Sequence, residues 1–292
     1  LNAYSMFFKR GNKGFPKFKK KGKTKLSFYQ RTDNLHRVGD KHVKLTGIRE
    51  PVKVSRGLPD GKYFNPRVFF DGKYWYLTFS QDVEVQSPHS DDRVVGVDLG
   101  IRKLVTCSDG WYYENINKTN YMEKIEARKV RLQKKLSKKY QVNKQGNKFI
   151  KTNNILKLEQ QLRLIDRKLK NIRENYIHEI TSYLVKTKPS TIVIEDLDVS
   201  SMLKNKYLSR DIKNCSFHKI RAYLQYKCQL YGIRLVVADR YYASSQICSK
   251  CGYKHKHLGL SERYTCPVCG ASIDRDLNAS YNLRNYGLSL VI

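Results

Sequence analysis

The chain is 292 residues long and 40% hydrophobic, enough for one large or two to three small domains with buried cores. It carries 57 Lys and Arg against 26 Asp and Glu, a formal charge of +31, which excludes an indifferent surface and points to a polyanionic partner. No run approaches the roughly 18 apolar residues of a membrane span, so no membrane partner is expected, and the 21 Tyr supply faces on which bases can stack.

Residues 1–32 contain no acidic residue. The stretch FFKRGNKGFPKFKKKGKTK interleaves Lys with Phe, Gly and Pro. Its Lys17, Lys19, Lys20 and Lys21 are candidate nucleic-acid contacts that can track a phosphate backbone, with Phe15 and Phe18 flanking Pro16 as anchors. The competing reading is a solvated basic tail. Residues 26–86 read as β structure, because HVKLTG, REPVKV and RVFFDGKYWYLTFS alternate apolar and polar residues. Asp71-Gly72 between Phe70 and Lys73 predicts a two-residue hairpin turn. Several short antiparallel strands suggest a small barrel or curled sheet used for binding, followed by a linker over 86–90.

RVVGVDLG (93–100) predicts a buried strand through Val94, Val95 and Val97, with Asp98 at its end before Gly100. A second strand over 103–108 and the Trp111-Tyr112-Tyr113 segment complete a meander. An isolated buried carboxylate is costly unless it is paired or metal-bound, which sets Asp98 apart from a merely satisfied polar residue. Residues 118–187 read as two antiparallel helices joined by a loop over 141–151. Met122, Ile125, Leu132 and Leu136 share one face, and Ile155, Leu158, Leu162, Ile165, Leu169, Ile172 and Tyr176 recur at steps of three and four. The basic outer faces suit a solubilising hairpin, with backbone contact to nucleic acid as a second role.

PSTIVIEDL (189–197) is a continuous apolar run of the kind covered on both sides, with Glu195 and Asp196 at its carboxyl end. A helix over 217–231, a buried strand over 233–238 and a closing helix over 274–285 follow. Cys248 and Cys251 form a C-x-x-C pair that Cys266 and Cys269 repeat after 14 residues, each pair trailed by Gly252 or Gly270. Two such thiolate turns brought together make the tetrahedral sulfur cage of a structural Zn²⁺. The alternative is a pair of disulfides. No secretory signal opens the sequence, and cytosolic thiols stay reduced, which favours zinc. Cys107, Cys215 and Cys228 have no ligand spacing and read as buried thiols.

Asp98, Glu195 and Asp276 mark the ends of two core strands and the start of a late helix, points that can converge in a mixed α/β sheet. Three close carboxylates repel and call for cations. Oxygen-only ligands favour Mg²⁺ or Mn²⁺, and a pair of such ions suits hydrolysis of a phosphodiester. Asp274 is the neighbouring acid and second choice for the third position.

GVDLG, IVIEDL, CSKCG…CPVCG and DRDLNAS, in that order, together with GFPKFKKK and the YYASSQICSKCGY approach, resemble the TnpB/OrfB family of insertion-sequence proteins, relatives of the type V CRISPR effector nucleases. The similarity covers roughly residues 7–283. It implies an α/β fold: a RuvC-like (ribonuclease H-like) core with an inserted zinc ribbon and helical hairpin, preceded by a partial β-barrel wedge domain. The domain limits expected are 1–90 for the basic segment and wedge, 91–244 for the core with its hairpin at 118–187, 245–272 for the ribbon, and 273–292 for the last acidic motif and closing helix. By motif, Asp98, Glu195 and Asp276 match the three catalytic acids and the four cysteines the zinc ligands. The resemblance implies RNA-guided cleavage of double-stranded DNA, with a guide RNA from the transposon end, in a prokaryotic cytoplasm at the nucleoid. Fewer residues precede GFPKFKKK than in family members, and residue 1 is Leu, so a truncated or reduced wedge is expected. The alternatives are a nuclease-inactive RNA-guided repressor, a transposase or accessory DNA-binding protein, and a zinc-ribbon adaptor, which leaves Asp98 and Glu195 unexplained.

Overall fold

The computed structural model describes residues 2–9, 14–16, 26–87, 92–255 and 261–290. The candidate contacts Lys17, Lys19, Lys20 and Lys21 lie outside the described residues, as do Phe18 and most of the 86–90 linker. The chain divides into two compact units, residues 1–82 and 83–292.

In the first unit, helix α1 (Asn2–Lys9) precedes six short strands: β1 (Ser27–Tyr29), β2 (His36–Arg37), β3 (His42–Lys44), β4 (Val52–Lys53), β5 (Phe64–Phe70) and β6 (Trp75–Ser80). Phe15 meets α1, with its ring edge-on to Tyr4 at 5.6 Å and to Phe7 at 5.5 Å, but it stays 60% exposed and is not part of the core. The strands form two antiparallel sheets, ordered β1-β5-β6 and β2-β3-β4. Leu35, Val43, Leu45, Leu58 and Val68 make one core. Among the described residues no ladder joins the two sheets into a closed barrel. The hairpin between β5 and β6 turns one residue later than expected. Phe70 pairs with Trp75, the Asp71 amide donates to the Tyr74 carbonyl, and the Asp71 carboxylate accepts from the Lys73 and Tyr74 amides. Gly72-Lys73 is therefore the loop, because Asp71 serves as the cap of the turn.

The second unit runs β7 (Val94–Asp98), β8 (Lys103–Cys107), β9 (Tyr112–Glu114), α2 (Asn120–Val142), β10 (Lys144–Gln145), β11 (Lys148–Phe149), α3 (Asn153–Lys186), β12 (Thr191–Ile194), α4 (Val199–Met202), α5 (Ser209–Cys215), α6 (Phe217–Leu230), β13 (Arg234–Val237), β14 (Arg263–Thr265), β15 (Ser272–Asp274) and α7 (Arg275–Leu288). Its five-stranded sheet has the order β13-β12-β7-β8-β9. β7, β8 and β9 form an antiparallel meander, and β12 and β13 run parallel to β7. β7 and β12 are buried along their whole length, which is why they read as unbroken apolar runs. β13 differs from the expected buried strand. It is an edge strand, half-buried, with Arg234 exposed.

Side-chain alternation divides the sheet's two faces. Val95, Val97, Ile192 and Ile194 share a core with Ile177, Ile180 and Leu184 of α3 and with Ile220 and Leu224 of α6. Val94 and Val193 face the other way and pack with Ala238 and Leu283 of α7. Gly287 allows that helix to lie close, since a Cβ there would fall 2.5 Å from a Val193 methyl. The α2–α3 hairpin matches the expected pair of helices. Met122 and Ile125 pack on Ile165 and Leu169, and the joining loop contains the small β10–β11 ladder. Thr119 and Thr152 cap the two helices by accepting from the Met122 and Ile155 amides. No helix among the described residues is long and apolar enough to cross a membrane.

Candidate functional site

The same alternation places the acids. Val94, Gly96 and Asp98 share the face of β7 that looks toward α7, and the parallel register of Ile194 with Val97 sets Glu195 beside Asp98 at the carboxyl ends of adjacent strands. Glu195 lies near enough to act on the Asp98 carboxyl by hydrogen bonding and by charge. Asp98 is 9% exposed, and its carboxyl is pushed well above the usual range. Burial is the main cause, followed by the hydrogen bond and charge of Glu195 and then the charge of Asp276, while Arg275 pulls the other way. A buried carboxyl raised by two neighbouring acids is a place where a cation would relieve the repulsion.

Asp274 and Asp276 lie two residues apart at the start of α7 and do different work. Asp274 is the N-cap, and its Oδ1 accepts from the Asp276 amide at 3.1 Å and the Leu277 amide at 3.0 Å. Its other oxygen pairs with Lys103 Nζ at 2.9 Å. Burial alone would raise the Asp274 carboxyl, but Lys103 and the cap amides outweigh it and hold the group below the usual range. Asp276 moves the opposite way, raised by burial and by Asp274. Gly100 lets the chain turn tightly into β8, since a Cβ there would fall 2.7 Å from the Lys103 carbonyl oxygen. Asp274 is thus consumed by helix geometry, and Asp276 is the acid electrostatically coupled to Asp98.

The four cysteines converge as their spacing predicts. Their sulfurs all lie within 4.8 Å of one another, with Cys248–Cys269 at 3.7 Å and Cys251–Cys266 at 3.6 Å. Disulfide sulfurs would be about 2.0 Å apart. A tetrahedron with metal–sulfur bonds of about 2.3 Å puts its sulfurs roughly 3.8 Å apart, so the cage fits a metal ion. Both turns close alike: the Gly252 amide donates to the Cys248 carbonyl and the Gly270 amide to the Cys266 carbonyl, with φ of 76° and 68°. Only glycine adopts that conformation without strain. Within the cage the backbone amides of Cys269 and Val268 bring the Cys266 thiol down to about 6, while burial and the other three thiols push Cys251 up to about 12, as sulfurs sharing protons at contact distance do. Among the described residues these cysteines alone bring three or more ligand atoms that close; the three carboxylates are more widely spread.

Two features were not anticipated. Lys103, read only as the start of a strand, reaches α7 and also lies 4.8 Å from the centre of the Tyr112 ring. Asn278 and Asn282 fasten the ribbon to α7: Asn278 accepts from the Ser249 amide and donates to the Ile247 carbonyl, and Asn282 donates to the Ser244 and Ile247 carbonyls. The Asn within DRDLNAS was the visible signal.

A mixed α/β sheet with acids at its carboxyl edge and a four-thiolate ribbon ahead of its last helix defines the class, and comparison with known proteins specifies it. A family model described as "Probable transposase" matches residues 78–206, and one described as "Cas12f1-like, TNB domain" matches residues 217–283. A protein of Streptomyces pristinaespiralis named "Putative RNA-guided DNA endonuclease" is 32% identical over 292 residues, covering 98% of this chain and 69% of that one. An Escherichia coli K12 protein, "Putative RNA-guided DNA endonuclease InsQ", is 28% identical over 311 residues, covering 96% and 70%. The chain belongs to the TnpB/OrfB family of insertion-sequence proteins. Its fold is similar to that of the protein in a cryo-EM structure of a Cas12f1–sgRNA–target DNA complex, with a TM-score of 0.60 at 17% identity over 96% of this chain and 68% of that one.

Proposed function

We propose that the chain is a transposon-encoded, RNA-guided DNA endonuclease whose RuvC-like core hydrolyses phosphodiesters at Asp98, Glu195 and Asp276. The observation that carries this reading is the register that sets Glu195 beside Asp98 at the ends of two parallel strands, with Asp276 at the start of α7, which packs on β7. The names of the relatives and the fold likeness to a guide-RNA complex support the RNA and DNA partners, and the transposon end is the expected source of the guide.

An all-oxygen donor set whose buried carboxyl is raised by its acidic neighbours fits hard divalent cations. Mg²⁺ or Mn²⁺ held by the three acids would supply charge neutralisation and Lewis acidity at the phosphodiester. The chain's own part is to bury Asp98 at a strand end, set Glu195 beside it by register, and present Asp276 from a capped helix. Zn²⁺ in the four-cysteine cage would be structural, because a closed sulfur shell leaves no open position for substrate.

The test is cleavage. The purified chain, loaded with RNA transcribed from its transposon end, is given a plasmid carrying the matching sequence and Mg²⁺. The expected product is cut DNA, lost in Asp98→Ala. An uncut plasmid on which the complex nonetheless sits would favour the repressor reading. Strand-joined products would favour a transposase.

A further inference from the structure

We infer that the groove at the carboxyl ends of β12 and β13 is a second phosphate subsite for the nucleic-acid strand, with Arg240 and Arg221 as its anion contacts. The inference rests on reading the neighbouring acids as a phosphodiester site. Asp196 follows Glu195 just beyond the end of β12, and its side chain reaches α6. There its Oδ1 accepts from Arg221 Nη1 of α6 at 2.7 Å, and its Oδ2 accepts from Arg240 Nη2 at 2.7 Å and Nε at 3.1 Å. Two guanidiniums share the one Asp196 carboxylate, and each has more donors than Asp196 engages. Both side chains are about half exposed, at 47% and 51%.

Arg240 lines a cavity of about 440 Å³ that opens directly beside Glu195. Its walls also carry Asp196, Asp198, Asp239 and Tyr242. Such a groove repels a polyanion everywhere except at Arg240, with Arg221 behind it on the far oxygen of Asp196. Exposed ion pairs add little stability, so a doubled pair exceeds what holding α6 to β13 requires. The carboxyl ends of parallel strands are also where open α/β sheets receive ligands. A strand with one phosphate at the Asp98–Glu195 pair would meet the arginines with a neighbouring phosphate, and Asp196 keeps both guanidiniums extended until it does.

The probe is a short fluorescent oligothymidylate, bound to the full chain without Mg²⁺ and followed by anisotropy across a salt series. Arg240→Gln is expected to weaken binding about fivefold and to reduce the salt slope by about 0.7, with the Arg221→Gln, Arg240→Gln double variant losing about twice that slope. Asp196→Asn frees the same cations and should bind as tightly as the parent or tighter. Arg234→Gln, at the other end of β13, should be neutral. Thermal melts establish that each variant is folded. If Asp196→Asn weakens binding along with the arginine variants, the three residues form only a structural staple and the inference falls. Equal losses at Arg234 and Arg240, or no loss at Arg240, also overturn it. The two readings fail separately, because absent plasmid cleavage with this binding pattern intact counts against the endonuclease alone.

Discussion

Gly96 of β7 lies against the backbone of Ser280 in α7: a Cβ at position 96 would stand 2.0 Å from the Ser280 carbonyl oxygen and 2.4 Å from the Arg284 amide nitrogen. Both neighbours are backbone of a regular helix and cannot rotate away. Gly96→Ala therefore has to lift α7 from the sheet. We expect a loss of about 2–3 kcal/mol of stability, together with weaker divalent-ion binding as Asp276 withdraws from Asp98. Thermal denaturation with and without Mn²⁺ measures both, and an unchanged melting temperature would contradict the close contact.

The raised Asp98 carboxyl makes stability depend on pH in a particular direction. The unfolded aspartate titrates near 3.9. The folded group titrates higher because of burial and the adjacent acids. Below the unfolded value both states are protonated and the contribution is complete. As pH climbs toward the folded value, the folded chain retains a proton that the unfolded chain has lost, and stability declines. Without added Mg²⁺ or Mn²⁺ the melting temperature should fall with rising pH over this range. Asp98→Asn should flatten the slope, and added Mn²⁺ should restore more stability at the alkaline end. A melting series at graded pH checks all three.

Asp274 and Asp276 should separate stability from activity. Asp274→Ala removes the α7 cap and the Lys103 ion pair, and should cost about 1–2 kcal/mol while cleavage persists. Asp276→Ala removes a carboxyl that burial disfavours, and should cost little stability while abolishing cleavage. Lys103→Met should resemble a weaker Asp274→Ala, at about 0.5 kcal/mol, because the pair is partly solvated. Activity lost at Asp274 and retained at Asp276 would reverse the assignment.

Cys266→Ser should release the ribbon's ion, and the damage should not stop at the thiolates. Asn278 and Asn282 bond to backbone between Ser244 and Ser249, so a loosened knuckle removes partners from the helix carrying Asp276. The expected result is loss of stoichiometric zinc by colorimetric release, with faster amide exchange in residues 244–282. Exchange confined to the ribbon would show that the stitches carry no strain.

Much of this was legible because it depends on local pattern. The two buried strands announce themselves as apolar runs ending in acids, the hairpin helices by their periodicity, and the cage by spacing and paired glycines. What escaped depends on contacts distant in sequence or on a side chain competing with backbone. Lys103 meets Asp274 across 171 positions, which no periodicity encodes. The β5–β6 turn slipped by one because the Asp71 carboxylate captures the turn amides. β13 is an edge strand, and edge position follows from sheet order rather than from the composition of IRLVVA. Helix α1 lies in a stretch whose basic character masked its Tyr4 and Phe7 contacts with Phe15.

The sheet order that seats α7 on β7 also fixes when the pocket can exist. Asp98 and Asp276 are 178 positions apart, so a ribosome adding about 5–20 residues per second makes the first acid roughly 10–35 s before the last. Through that interval the nascent chain holds two of its carboxyls, and the covering helix has not been made. On the nuclease reading proposed above, the site therefore stays incomplete beside its own messenger until α7 has emerged and packed on β7.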